Sequence, residues 1–282
     1  MRKKVLSQKG HLAENWYWYL TGQNKEGFST QYESRIKRFR RTTGLLPGTP
    51  RCFECNLPMS GLTGWLTNTH PSSFSPRLCN RCERVMREEE AGAEVELSML
   101  FADIRGSTIL AETNTTSEFK RLIQQFYRAA AEVLVQHNAM VNRLMGDQVI
   151  GLFVPRFAGS RHAKVAVTAA LDILRATGHE DREGPWAPVG IGVHTGLAYV
   201  GAVGTGNGVN EIAVLGSAPN LAARLSSHAA DGEIIISESA MASAEFPDDG
   251  MESRTLNLKG INHPVAVRVL LLERNQERQV IS

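Results

Sequence analysis

With 282 residues, 42% of them hydrophobic, and a net charge of +2, the chain can build one large or two smaller packed domains, which excludes a disordered or low-complexity polymer. No apolar run approaches the roughly 18–20 residues that span a bilayer, and no apolar signal core follows Met1-Arg2-Lys3-Lys4, so the expectation is a cytoplasmic protein with no membrane partner. The charge is uneven: residues 1–50 carry five Lys and five Arg against three Glu, a net +7, leaving −5 for the remainder.

Residues 1–50 read as a basic, aromatic segment. Trp16-Tyr17-Trp18-Tyr19-Leu20 is its apolar stretch, and Ser34 to Arg41 is a helix-like run holding Arg35, Lys37, Arg38, Arg40 and Arg41. Such a run either meets nucleic acid or an anionic surface, or is a solvated helix face whose neighbouring aromatics pack on the next module; the second is the plainer reading. Pro47-Gly48-Thr49-Pro50 is linker chemistry.

Residues 51–93 form a second segment. Cys52-x-x-Cys55 and Cys79-x-x-Cys82 supply four thiolates at a spacing that can close a tetrahedral, structural Zn²⁺ site around a loop rich in Gly, Ser, Pro and Thr. Four cysteines leave no place for His70 as a ligand. A disulfide pairing is weak, because nothing suggests secretion. The charged stretch Arg84 to Ala93 reads as a short helix and hinge.

From Glu94, Val95, Leu97, Met99 and Phe101 alternate with Glu96, Ser98 and Leu100, which predicts a strand. It runs into Asp103 and turns at Gly106-Ser107-Thr108. A carboxylate followed by such a turn into a helix can hold a divalent cation beside a phosphate. Helices are predicted over 117–137, with Ser117 as cap, and over 160–177. Gly146-Asp147 lies between the apolar runs 139–145 and 148–154 and predicts a tight hairpin with Asp147 at its tip. If that hairpin neighbours the first strand, two carboxylates 44 positions apart share one sheet edge.

Residues 189–196 and 197–203 read as paired strands and 204–208 as a flexible loop. A short strand (211–215), a helix (216–227) and strands 233–236 and 265–272 follow, with a polar tail over 274–282. Asn220 and Arg224 stand i, i+4 on that helix and can face one cleft. His194, among small apolar residues, reads as structural. The order β-α-β-β-α-β with additions predicts an α+β, ferredoxin-like sheet with helices on one face.

Phe101-Ala102-Asp103-Ile104, Met145-Gly146-Asp147, Gly190 to Gly196, Val214-Leu215-Gly216 with Asn220 to Arg224, and Leu258-Lys259-Gly260 stand in the order typical of class III nucleotidyl cyclases, which residues 94–273 resemble. The cysteine segment before this domain resembles one bacterial subgroup. The resemblance implies that Asp103 and Asp147, with the Ile104 carbonyl, bind two Mg²⁺ or Mn²⁺ ions. It implies that Gly106, Ser107 and Thr108 cradle phosphate, Asn220 positions the ribose, Arg224 meets charge on the α-phosphate and Lys259 reaches the terminal phosphates. It also implies a head-to-tail homodimer, with metal ligands from one protomer and Asn and Arg from its partner.

Adenylate-type members usually place Lys, and guanylate-type members Glu, where this chain has Arg143. They usually place Thr or Asp, or Cys, where it has Ala213. Ala213 cannot bond an adenine amino group, and the fork of Arg143 favours carbonyl acceptors. The pair resembles pyrimidine nucleotide cyclases of bacterial anti-phage signalling, which make cyclic UMP or cyclic CMP for a separate effector. The alternatives are an adenylate cyclase with an atypical pocket and, from another class, a non-catalytic zinc-dependent nucleic-acid binder. The latter leaves both Asp residues, Asn220 and Arg224 unexplained. A palm-type enzyme is a further alternative, but its Gly-Gly-acidic-acidic-Phe hairpin is absent.

Overall fold

The computed structural model describes residues 2–23, 30–72, 75–88, 91–204, 210–247 and 251–272; side chains of 2–11, 30–35, 142–145 and 210 lie outside the description. The expected loop at 204–208 and tail at 274–282 fall almost wholly outside the described residues.

In chain order the elements are α1 (Arg2–Thr21), α2 (Thr30–Thr43), α3 (Gly61–Leu66), α4 (Asn80–Glu88), β1 (Gly92–Ile104), α5 (Ser107–Thr113), α6 (Thr116–Gln136), β2 (Met140–Met145), β3 (Gln148–Phe153), α7 (Pro155–Ala158), α8 (His162–Ala176), β4 (Val189–Gly204), β5 (Asn210–Leu215), α9 (Ser217–His228), β6 (Glu233–Ser237), α10 (Glu238–Ala244), β7 (Glu252–Leu256) and β8 (Val265–Leu271). They fall into two compact units. One holds residues 1–95, 155–157 and 197–215; the other holds 96–154, 158–196 and 216–282.

The strands form one sheet in the order β2-β3-β1-β4-β6-β8-β7, with β5 paired to β4. The first four, with α6 and α8 as crossovers, are the expected ferredoxin-like βαββαβ core. β1 and β3 are antiparallel, as are β2 and β3, whereas β4 and β6 are parallel.

Two local expectations are corrected. Residues 189–203 are not a hairpin. β4 is one strand of 16 residues, and its distal half pairs antiparallel with β5, Gly201 opposite Ala213. Gly196 does not turn the chain. The cap of α6 is Thr115, not Ser117: its hydroxyl accepts from the Glu118 amide at 3.3 Å while the Glu118 carboxylate takes the Thr115 amide at 3.0 Å. A Glu three residues on closes this capping box; Ser117 has Lys120 there.

The helices do not share one face. Ile191, Val193, Ile234 and Ile236 pack with Phe126, Leu134, Val167 and Ile173 of α6 and α8. The intervening Ile235 packs instead with Val267, Val269 and Leu225, so α9 lies on the opposite face. Gly190 and Gly192 make that possible. A Cβ on Gly192 would lie 2.3 Å from the Ser226 nitrogen and 2.6 Å from the Ala222 oxygen, both backbone of α9. The glycine alternation therefore lets a helix backbone rest directly on a strand.

In the first unit Trp16 and Leu20 of α1 are fully buried. Arg156 stacks 3.7 Å over the Trp18 ring and bonds the Glu54 carboxylate at 3.0 Å. The burial of Glu54 pushes its carboxyl up to about 7, against the pull of Arg156 and Arg40.

Candidate active site and cysteine cluster

The two acidic residues converge as the hairpin predicts. Asp103, next to last in β1, lies opposite Gln148 of β3, and the Ile104 amide donates to the Asp147 carbonyl at 3.2 Å. Asp147 follows Gly146, whose φ of 66° suits a tight turn that a side chain would strain. Tyr127 of α6 donates its hydroxyl to the Gly146 carbonyl at 2.6 Å and pins this turn. The Ile104 side chain is buried in the core, which fixes the backbone beside Asp103.

Asp103 is pushed up to about 6, first by burial; Arg105 opposes the shift and the neighbouring Asp147 carboxylate adds to it. One Asp103 oxygen pairs with Arg105. The other, Oδ1, is buried and has no hydrogen-bond partner among the described residues. Two converging carboxylates, one with an orphaned buried oxygen, are a donor set that suits a hard divalent cation. Gly106, with φ of 65°, begins α5, so Ser107 and Thr108 place amides in its first turn beside these carboxylates.

Asn220 and Arg224 stand exposed on α9, as the i, i+4 spacing predicts. With Lys259, Ser217, His194 and His263 they line a cavity of about 770 Å³ between α9 and the loop preceding β8. Among the described residues no hydrogen bond or ion pair engages the side chain of Asn220, Arg224 or Lys259. Asp103 and Asp147 do not line this cavity. The acidic pair and the Asn–Arg–Lys group thus belong to one unit but do not share a cavity.

The two positions expected to read the base are described singly. Arg143 sits in β2 opposite Ile150, its side chain outside the description. Ala213 sits half-buried in β5 and offers only a methyl group.

Three residues near the site carried no signal in the sequence. Arg105 bonds Asp103 and also reaches the Ser227 and Ala229 carbonyls at the end of α9, at 3.3 and 3.4 Å. Tyr127 and His263 stand outside every motif of the sequence. Arg105 and Tyr127 act through contacts distant in sequence, which no local pattern encodes. His194 holds Ser237 Oγ at 2.8 Å through Nδ1, and burial pushes its imidazole down to about 4.

In the other unit the four Sγ atoms of Cys52, Cys55, Cys79 and Cys82 lie within 4.8 Å of one another. The Cys52–Cys82 and Cys55–Cys79 pairs stand at 3.8 and 3.6 Å. A zinc tetrahedron with bonds of about 2.3 Å has sulfur–sulfur edges of about 3.8 Å, so the spacing suits a metal and is far too long for disulfides. The Cys79 amide points at Cys52 Sγ and the Cys82 amide at Cys79 Sγ, at 3.3 and 3.4 Å, a pattern that stabilises thiolates.

Comparison with known proteins agrees with this geometry. Residues 90–266 match the adenylate and guanylate cyclase catalytic domain. An adenylate cyclase of Mycobacterium tuberculosis is 28% identical over 201 residues, 69% of this chain and 43% of that one. Adenylate cyclase 1 of Rhizobium meliloti is 29% identical over 135 residues, 46% of this chain and 20% of that one. This chain thus spans less than half the length of these relatives. Among solved structures, the guanylyl cyclase Cya2 superposes with a TM-score of 0.58 at 24% identity, covering 63% of this chain and 92% of that one. The adenylyl cyclase CyaB from P. aeruginosa gives 0.55 at 23%, covering 66% and 99%. These two likenesses bear on the fold. The match over 90–266, on a sheet that carries the acidic pair and the Asn–Arg helix, makes the chain a member of the adenylate and guanylate cyclase catalytic-domain family, the class III nucleotidyl cyclases.

Proposed function

We propose that the chain converts a nucleoside triphosphate to its 3′,5′-cyclic nucleotide and pyrophosphate at sites shared by two protomers of a homodimer. The observation that carries this reading is the pair of half-sites: an acidic pair with an orphaned oxygen, and a separate cavity with three unengaged polar side chains. Two Mg²⁺ or Mn²⁺ ions held by Asp103, Asp147 and the Ile104 carbonyl would lower the pKa of the ribose 3′-hydroxyl and neutralise the triphosphate. The Gly106–Thr108 turn cradles phosphate. Across the interface Asn220 orients the ribose, Arg224 meets the charge that grows on the α-phosphate, and Lys259 holds the terminal phosphates.

The proposed substrate is a pyrimidine triphosphate, UTP ahead of CTP, with a cyclic nucleotide product read by a separate effector in anti-phage signalling. Support comes from the chemistry of two side chains: Arg143 donates only, and Ala213 can neither donate nor accept. ATP is the second reading, favoured by the adenylate cyclases among the relatives. The cysteine cluster is proposed to hold one structural Zn²⁺, on its sulfur spacing. Incubation with Mn²⁺ and each of the four triphosphates, with products identified by mass, is the test. UTP or CTP turnover is expected. Turnover of ATP alone removes the pyrimidine assignment, and no turnover of any removes the enzymatic one.

A further inference from the structure

The proposed activity leaves an apolar, basic face of the first unit without a role. The helix α3 has the sequence Gly-Leu-Thr-Gly-Trp-Leu. Its Thr-Gly side is anchored. Thr63 donates its hydroxyl to the Pro47 carbonyl at 2.7 Å, and a Cβ on Gly64 would meet the Met59 and Thr69 backbones at 2.9 and 3.0 Å. That docking turns Leu62, Trp65 and Leu66, spaced i, i+3, i+4, away from the protein. They are 73%, 75% and 68% exposed, and Leu45, in the turn leading to Pro47, is 86% exposed.

Such values describe side chains that stand out from the surface, not the lining of a groove. Several large apolar side chains exposed together on one helix face mark an interaction site. The charge of the flanking sequence is one-sided. Between residues 36 and 72 the basic residues are Lys37, Arg38, Arg40, Arg41 and Arg51, and the one acidic residue, Glu54, is taken up by Arg156. Arg38 and Arg41 are exposed, and Arg41 lies one helical turn before Leu45.

We infer that α3 and the Leu45–Leu46 turn form a tip that inserts into the surface of an anionic bilayer, with the cations of α2 over the headgroups. A Trp and several Leu on a protrusion flanked by Arg and Lys are the chemistry of a peripheral membrane contact. No helix among the described residues is long and apolar enough to cross a membrane, so the contact is superficial. A second copy is a poor occupant: an isologous contact would set basic residue against basic residue. The tip is also far smaller than the roughly 20–30 residues a side of a stable protein interface. A peptide partner needs a groove that protruding side chains do not form.

The test uses the full chain and vesicles of phosphatidylcholine alone or mixed with phosphatidylserine, with co-sedimentation as the readout. Salt-sensitive sedimentation with the mixed vesicles is expected. Both Leu62→Ser/Trp65→Ser and Arg38→Glu/Arg41→Glu should lower the bound fraction about tenfold while leaving nucleotide turnover unchanged. No sedimentation with either vesicle, or sedimentation indifferent to both variants, overturns the inference. So does a changed oligomer mass in the Leu62→Ser/Trp65→Ser protein, which would mark the tip as a contact between copies. Binding to duplex DNA in place of vesicles overturns it as well. None of these outcomes depends on which nucleotide the protein uses.

Discussion

At the scale of single residues the site depends on groups that never touch the nucleotide. Tyr127 holds the turn carrying Asp147 through one hydrogen bond to the Gly146 carbonyl. Tyr127→Phe keeps the ring and removes that bond, which contributes about 1 kcal/mol. The expected result is a several-fold rise in the Mn²⁺ concentration for half-maximal turnover, with the melting temperature lowered by only about 2 °C; a purely structural tyrosine would lower the melting temperature and leave the Mn²⁺ dependence unchanged. His194 makes a different kind of contribution. Folded, it resists protonation down to about pH 4; unfolded, it titrates near 6.5. Between these values the unfolded chain binds more protons, so its share of stability is present above 6.5 and drains away as pH falls toward 4. The full loss is about 3 kcal/mol. Burial pushes His162 in the same direction, so the acid loss is shared. His194→Asn retains a polar atom near Ser237 and cannot titrate. Urea unfolding of this variant should show a shallower decline between pH 6.5 and 4 than the parent.

At the scale of elements, the hairpin was legible and the side on which α9 packs was not. Gly146-Asp147 between two apolar runs admits little but a tight turn, so Asp147 at a loop tip followed from pattern, whereas its approach to Asp103 rested on the pairing of β3 with β1, which the structure supplies. The i, i+4 placement of Asn220 and Arg224 followed from helix geometry alone. Gly190 and Gly192, in contrast, look locally like weak points in a strand. Their purpose is visible only once the backbone of α9 lies across them. The same blindness turned Gly196 into an expected break in β4. Gly192→Ala tests the structural reading. The new methyl meets backbone at 2.3 Å, which no rotamer relieves. A loss of roughly 1–3 kcal/mol is expected. As α9 shifts, turnover should fall more than nucleotide affinity, since the role proposed for Arg224 is to meet charge that develops during reaction. A protein as stable and active as the parent would contradict the direct strand–helix contact.

At the scale of the whole molecule, the separation of the half-sites makes a quantitative claim about assembly. Asp103→Ala and Arg224→Ala should each abolish most turnover, the latter by about 10²–10³-fold. Mixed under subunit exchange, half of the dimers are hybrids, and each hybrid rebuilds one complete site, so about a quarter of parental activity should return. Sites contained within single chains would give no recovery. Within such a dimer one feature takes on a larger meaning. The guanidinium of Arg105 grips Asp103 with one edge and the final carbonyls of α9 with another. In the proposed dimer Asp103 would serve one nucleotide and Arg224 of the same chain the other. On that reading the grip of Arg105 would connect two reaction centres, so that cation loading at one alters the footing of the arginine at the other. Arg105→Ala should then flatten any sigmoidal response of turnover to the divalent ion.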